Sequence, residues 1–358
     1  MLPRPEGPGP EKRLVRLEAM HAPDLATFHE TSGKLDFLTP LTSLLGAFRE
    51  SPIADRRRIQ EESALRTSLG EHHKAWDRVF PPFPPCPWKR RTLTWELHRG
   101  RRDAYLRLLI ATFVPMDDTD RRLIVNPAAV LGRHARLLAR ALPAHEIVGT
   151  DIAPWADRLY RLVSIWKFRK LKNYRFVRES VFAPDLDRRP AAVVFFGACG
   201  GVTDGCMDYA LAVGAPFLLC RSCCHENIGG NTRIVHRLRP INGFFALKNW
   251  WFARIRRKRS GFYFSDRYAL DAYPRSRAAR AHMDSETLLA VARHSVNSDI
   301  CRTLIDLDRC LYLRENGYDV LYREELFFAH RRPDASGPRG PGPDGGSLRT
   351  TVERRVQA

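Results

Sequence analysis

Apolar positions through the middle of this chain follow two different periods in turn. The stretches "RRLIV" (121–125), "HEIVGTD" (145–151), "YRFVRES" (174–180), "AAVVFFG" (191–197) and "PFLLC" (216–220) are short, nearly unbroken apolar runs rich in branched and aromatic residues, which is how buried strands read. Between them lie "GRHARLLARAL" (132–142), "WADRLYRLVSIWKFRK" (155–170) and "DGCMDYALAVG" (204–214), where apolar residues recur three and four apart and predict helices. Strand and helix alternating at this spacing predict successive crossover units, and therefore a mostly parallel sheet covered on both faces.

Upstream the period is helical throughout. Ile59, Leu65, Leu69, Trp76, Val79 and Phe80 recur at helical spacing over 56–80, and "PPFPPCPW" (81–88) stops that helix because proline brings no amide donor and restricts the residue before it. A second helix is expected over 92–113, carrying Leu93, Leu97, Tyr105, Leu108 and Leu109. The organisation that follows is a Pro-rich, poorly ordered 1–25, a helical accessory region over 26–115, an α/β domain over 116–330 with a basic and aromatic insertion at about 236–296, and a Pro/Gly-rich, disordered 331–358. No internal repeat is visible.

Composition narrows the partners. The formal net charge is +19 and the pI about 10.1, which points to a polyanion, since Lys and Arg gain affinity by displacing counterions from phosphates. An Arg-rich, merely solvated surface is the alternative. The 8 cysteines are thinly spread, with Cys223 and Cys224 adjacent, and no apolar leader core opens the sequence, so the thiols are expected reduced and the protein intracellular. Glu6 and Glu11 count against a mitochondrial presequence, although cytoplasm, nucleus and mitochondrion are not distinguished. The longest apolar run, over 191–202, is too short and too rich in glycine to predict a membrane span.

In an open parallel sheet, ligands bind beyond the carboxyl ends of the strands. Asp151 ends the second strand soon after Gly132 opens the first helix, a place where a carboxylate accepts hydrogen bonds from ribose hydroxyls; an ordinary strand-to-helix turn is the alternative. "GACGGVTD" (197–204) follows the fourth strand, and the order "ACG", "TD", helix, apolar strand, "CCH" resembles a branch of the class I S-adenosylmethionine-dependent methyltransferases that includes tRNA 2′-O-methyltransferases and methyltransferase-like proteins. "IDLDRCLYLRENGYDV" (305–320) is similar to that branch's closing helix and strand. The resemblance covers about 121–322 and implies a Rossmann-like α/β fold with a seven-stranded, mostly parallel sheet, and S-adenosyl-L-methionine as cofactor.

By the same resemblance, "LIVNPAAVLGRHA" (123–135) holds the turn under the cofactor. Asn126 stands in the place of the family's acid, Ala128 and Val130 in those of its first two glycines, and Gly132 alone is kept. Asp151 matches the ribose-binding acid, and Ser180 falls near the adenine-reading position. Gly197, Ala198 and Cys199 would line the methionine end, with Gly197 where many relatives have histidine.

"CRSCCHEN" (220–227) admits four readings. Cys220, Cys223, Cys224 and His225 offer four zinc donors, although Cys220 closes a buried strand and no second ligand pair lies near in sequence. A redox pair would sit at a helix start instead. Covalent chemistry on a pyrimidine, with Cys199 and Cys223 at the ends of the fourth and fifth strands, lacks the proline-cysteine pair of enzymes that use it. In the fourth reading the loop faces the substrate, with His225 as general base and Cys223 and Cys224 beside it, or the three residues only shape the turn.

"NWWFARIRRKRSGFYF" (249–264) interleaves Trp250 and Trp251 with Arg254, Arg256, Arg257, Lys258 and Arg259. Its cations would track RNA phosphates while its rings stack on bases, or its rings pack on the sheet and its cations are solvated. "WKFRKLKNYR" (166–175) is a weaker patch of the same kind. Together these features predict a methyltransferase acting on tRNA or rRNA, or an inactive methyltransferase fold that binds RNA or serves ribosome assembly.

Overall fold

A computed structural model describes residues 25–52, 69–80, 121–129, 132–151, 171–181, 184–185, 188–198, 201–222, 273–294, 299–323 and 326–335. In chain order its elements are α1 (Leu25–Gly33), α2 (Leu38–Glu50), α3 (Gly70–Val79), β1 (Leu123–Asn126), α4 (Arg133–Ala141), β2 (Glu146–Asp151), β3 (Tyr174–Arg178), β4 (Ala192–Ala198), α5 (Gly201–Ala212), β5 (Phe217–Ser222), α6 (Arg277–Arg280), α7 (Ser285–His294), α8 (Asp299–Glu315), β6 (Tyr318–Arg323) and β7 (Leu326–Arg331).

Among these residues seven strands form one sheet in the order β3-β2-β1-β4-β5-β7-β6. β1 to β5 pair in parallel, whereas β7 runs antiparallel to both β5 and β6. Order reverses between β1 and β4, the switch point at which such sheets open a crevice. This is the Rossmann-like class I methyltransferase fold, with a helical N-terminal extension. Apolar burial explains the central strands: Ile124, Val125, Ile147, Val148, Val193, Val194, Leu218 and Leu219 are all buried, as residues covered on both faces must be.

Each strand read from the sequence forms within three residues of its expected limits, as do the helices at 132–142 and 204–214. Of the helix expected over 56–80, residues 69–80 are described and 70–79 are helical. The helices expected over 92–113 and 155–170 lie outside the described residues. The terminal segment read as a tail from 331 begins with the last residue of β7.

The helical extension is built into the same core. Phe28, Phe37, Leu41, Leu44, Trp76 and Phe80 belong to one apolar cluster with the sheet, and Phe28 and Phe80 both pack edge-on or tilted against Phe328 of β7. Its polar contacts close the exposed edge of β6. The buried Ser32 hydroxyl donates to the Val320 carbonyl at 2.9 Å and accepts from the Val320 amide at 2.7 Å, giving an edge residue both partners that a further strand would supply. Leaving either backbone group unpaired costs about 1–3 kcal/mol. Arg314 of α8 donates to the Ser32 and Leu35 carbonyls and lies over the Phe37 ring.

A chain of three polar side chains completes this seam. Asp319 of β6 accepts from His29 Nδ1 at 2.6 Å, and His29 Nε2 is 2.7 Å from His330 Nδ1 of β7. With a carboxylate at Asp319, protons run from His330 to His29 to Asp319. Burial, reinforced by His29, pushes the His330 imidazole down from 6.5 to about 4. A depressed folded-state value means that neutral His330 contributes its full stability above the unfolded value and loses it as pH falls through the window from about 6.5 to about 4. The melting temperature of the wild type is therefore expected to fall across that window, and that of His330→Asn to fall less. Parallel melting curves with the same slope for both proteins would count against the histidine.

Candidate functional site

The crevice forms where β1 ends. Asn126 closes the strand with its side chain buried, and its Nδ2 donates to the Val194 carbonyl of β4 at 2.8 Å. Its Oδ1 is buried and has no hydrogen-bond partner among the described residues. The chain then turns through Ala128 at φ 50 and Gly132 at φ 63, both in the left-handed region. The turn is tied down by the Ala129 amide donating to the Thr150 carbonyl of β2 and the Gly132 amide donating to the Ala129 carbonyl, each at 2.8 Å. A side chain at Gly132 would meet the Tyr174 hydroxyl of β3, which also reaches the open face of Gly149, so glycine at 132 serves packing as well as conformation.

Asp151 lies at the carboxyl end of β2, 9% exposed, with its carbonyl accepting from the Glu179 amide at 3.2 Å. Ser180 is half-buried just past β3. Glu179, which sequence reading passed over, is the buried acid at this wall. It accepts from the Asp185 amide at 2.6 Å and from the Tyr209 hydroxyl of α5 at 3.1 Å, and burial pushes its carboxyl up. An acid at a strand end beside Ser180 was the signal available for it. At the end of β4 the register with β5 slips between Phe196 and Ala198, so Gly197 forms a bulge that re-aims the strand end. The Phe196 ring lies 5.6 Å from that of His134, in the first turn of α4. Neither residue was singled out from sequence.

Asn126, Ala128, Gly132, Asp151, Ser180, Gly197 and Ala198 thus come together at the carboxyl edge of the parallel strands. Cys199, Cys223, Cys224 and His225 lie outside the described residues, as do Trp250, Trp251, Arg254, Arg256, Arg257, Lys258 and Arg259. Cys220 is described: it is fully buried in β5, and burial pushes its thiol well above the ordinary range.

Beneath this edge runs a buried ionic network. Arg309 of α8 donates through Nε and Nη2 to the two oxygens of Asp204, at 2.9 and 2.8 Å, and through Nη1 to Asp306 at 2.9 Å. Asp306 accepts further bonds from Ser222, the last residue of β5, at 2.8 Å and from Tyr322 of β6 at 3.2 Å. Tyr273 and Arg275 both donate to Asp204, and Arg275 reaches Asp208 while lying over the Tyr312 ring. The Arg275 and Ser276 amides donate to Asp308. Burial alone would raise the Asp204 carboxyl, but Arg309's charge and hydrogen bonds override it and hold the group below its usual range. Asp306 and Asp308 receive less compensation, so burial raises both, Asp308 to about 6.

The "TD" and "IDLDR" segments that carried the sequence resemblance supply Asp204, Asp306, Asp308 and Arg309. Their observed work is to lock α5, α8 and the end of β5 under the crevice. Arg309→Met would remove the counter-charge of buried Asp306 and leave Asp204 only Tyr273 and Arg275, and a loss of about 3–5 kcal/mol is expected in denaturant unfolding. The double variant Arg309→Met/Asp204→Asn is expected to recover part of it. Equal stability of wild type and Arg309→Met would remove the network from this role.

No protein-family model matches the chain, and no curated protein does. Among solved structures it is similar to a putative caffeoyl-CoA O-methyltransferase from Staphylococcus aureus, at 9% identity over 68% of this chain and 94% of that one, with a TM-score of 0.33. It is similar to the PH0226 protein from Pyrococcus horikoshii OT3 at 17% identity over 47% and 71% of the two chains, with a TM-score of 0.29. An rRNA methylase from Streptococcus thermophilus aligns at 13% identity over 29% of this chain, with a TM-score of 0.23. The chain spans 62% of that methylase's length. Overlaps of this extent carry nothing about substrate.

Proposed function

We propose that the chain is an S-adenosylmethionine-dependent methyltransferase acting on RNA, either tRNA or rRNA. The observation that carries this reading is the placement of Asp151. It is a buried carboxylate at the carboxyl end of β2, beside a β1 turn whose backbone takes the left-handed conformation at both Ala128 and Gly132. A second observation supports the cofactor: Asn126 Oδ1 is a buried acceptor with no donor among the described residues, and S-adenosylmethionine brings an ammonium group and two ribose hydroxyls. When bound, the cofactor supplies an electrophilic methyl group on a sulfonium, open to in-line attack.

In this reading Asp151 accepts from the ribose hydroxyls, Ser180 borders the adenine, and the backbone of Gly197, Ala198 and Cys199 borders the methionine end. Glu179, already engaged by the Asp185 amide and Tyr209, braces the adenine wall. Most of the acceleration is positioning, because the acceptor must sit in line with the methyl group. His225 then removes the proton of an acceptor hydroxyl, with Cys223 and Cys224 shaping the loop around it. The net charge of +19 and the cations of 254–259, beside Trp250 and Trp251, hold the RNA.

A second reading, an RNA-binding or ribosome-assembly protein on a methyltransferase fold without catalysis, is favoured by Asn126 in the acid's place and by Ala128 and Val130 where glycines are expected. Calorimetric titration separates the two. Weak but measurable S-adenosylmethionine binding is expected in the wild type, weakened by about 1.5–3 kcal/mol in Asp151→Ala, the scale of a lost hydrogen bond to a charged group. His225→Ala is expected to keep the fold and the cofactor affinity but slow methyl transfer to RNA by about 10²–10⁴. No binding at millimolar cofactor would reject the enzyme and leave the assembly protein.

A further inference from the structure

We infer that the helical extension holds a small-molecule site of its own, whose ligand is an uncharged compound that donates an N–H or O–H bond to His72 from an apolar body. The site lies away from the β1 turn, since α1 and α3 pack against β6, at the edge of the sheet opposite β3. A cavity of about 470 Å³ opens between α1, the start of α2 and α3. That volume lies within the ~300–1,000 Å³ of small-ligand sites.

Leu35, Pro40, Ala75 and His72 border the cavity and are buried, so its inner wall is apolar apart from one ring. His72 is 2% exposed, and its Nε2 lies 2.8 Å from the Asp36 carbonyl. A carbonyl only accepts, so Nε2 carries the proton of that bond. Burial pushes the imidazole down against the opposing pull of the Asp36 carbonyl, and the Arg314 and His73 charges on one side and the Asp36 carboxylate on the other modify it less. The ring is therefore neutral near pH 7, and its Nδ1 is a bare acceptor. That nitrogen is buried and has no hydrogen-bond partner among the described residues. The bond to Asp36 and the Phe37 ring, 4.7 Å from that of His72, hold the imidazole plane and with it the direction of the Nδ1 lone pair. A buried acceptor left without a donor is costly, and a ligand's N–H or O–H relieves that cost.

The charge of the ligand follows from what surrounds this acceptor. Glu30, Asp36, Glu71, Lys34 and Arg78 border the cavity with exposed side chains, so its charge lies at the rim. The three carboxylates are already engaged: Lys34 donates to Glu30, Lys74 to Glu71, and Asp36 Oδ1 accepts the Leu38 and Thr39 amides at 2.8 and 3.2 Å. A charged group placed against His72 Nδ1 would be buried without a counter-ion, whereas a neutral donor exchanges one hydrogen bond to water for one to the ring. The proposal depends neither on methyl transfer nor on RNA.

The test uses indole, whose polar group is a donor N–H alone, and N-methylindole, which keeps the ring system and lacks that donor. Both are titrated into the full chain carrying isotopically labelled histidine, and nitrogen–proton correlation spectra follow the ring nitrogens of His72, assigned by scalar coupling to its backbone. Indole is expected to bind at millimolar concentration and to move the Nδ1 resonance of His72 toward that of a protonated ring nitrogen. N-methylindole is expected to bind at least about tenfold more weakly, the scale of one hydrogen bond to a buried acceptor. His72→Gln, whose side-chain amide can keep the bond to the Asp36 carbonyl while Nδ1 is removed, is expected to bind the two compounds alike. His73→Gln is expected to keep the preference for indole. Should His72→Gln fail to fold, the wild-type resonance decides, since movement with indole and none with N-methylindole supports the site. Equal affinity of the wild type for the two compounds, an Nδ1 resonance unmoved at saturating indole, or no binding at the solubility limit of indole overturns the proposal.

Discussion

Arg309 and Asp204 meet as a buried, two-pronged pair, and much of the sheet's carboxyl edge is arranged around keeping them together. Taking two such charges out of water costs several kcal/mol for each, which only good geometry and full hydrogen bonding offset. Both conditions hold here. Every nitrogen of the Arg309 guanidinium donates to a carboxylate, and Asp204 receives Tyr273 and Arg275 besides. Asp204 sits in the first turn of α5, Asp306 and Arg309 lie one turn apart on α8, and Ser222 ends β5. Sliding any of these elements by one residue would leave a charge unmatched, so the network acts as a register pin for the strand ends where ligand chemistry is expected.

The network also bears on what a sequence motif means. "TD" and "IDLDR" were read as marks of a methyltransferase branch, and the side chains that carry them are buried ions rather than surface groups reaching for a ligand. A structural requirement this strict, two guanidiniums set among four carboxylates, leaves little freedom in residue type at those positions. The motif therefore reports the fold directly and the reaction only through it. Asp151 and the turn before it stand apart from this network, at the carboxyl edge of the parallel strands.

The strands were legible because burial on both faces forces unbroken apolar runs, as in Val193 to Phe195 and Phe217 to Cys220. Asp151 was legible as the end of its strand because the apolar run of 145–150 stops at it. What could not be read was long-range. Nothing local to Ser32 announces that its hydroxyl serves both backbone groups of Val320, 288 residues away. Glu179 escaped for a different reason: a one-residue offset along β3 turns a strand-end side chain to the other side of the sheet, and position within a short motif does not fix that offset.

The β1 turn shows how far an absent glycine should be taken. Valine at 130 and alanine at 128 read as the loss of a cofactor turn, since a side chain disfavours positive φ. Yet Ala128 adopts φ 50 all the same. The left-handed region costs an L-residue about 1–2 kcal/mol, and alanine has the smallest side chain that incurs it. Bonds from Ala129 to Thr150 and from Gly132 to Ala129 hold the turn against that cost. The left-handed backbone at position 128 is therefore held without a glycine there. Conformation and residue type are in this way uncoupled at one position: Ala128 keeps a left-handed backbone because its neighbours are tied to β2 and to one another.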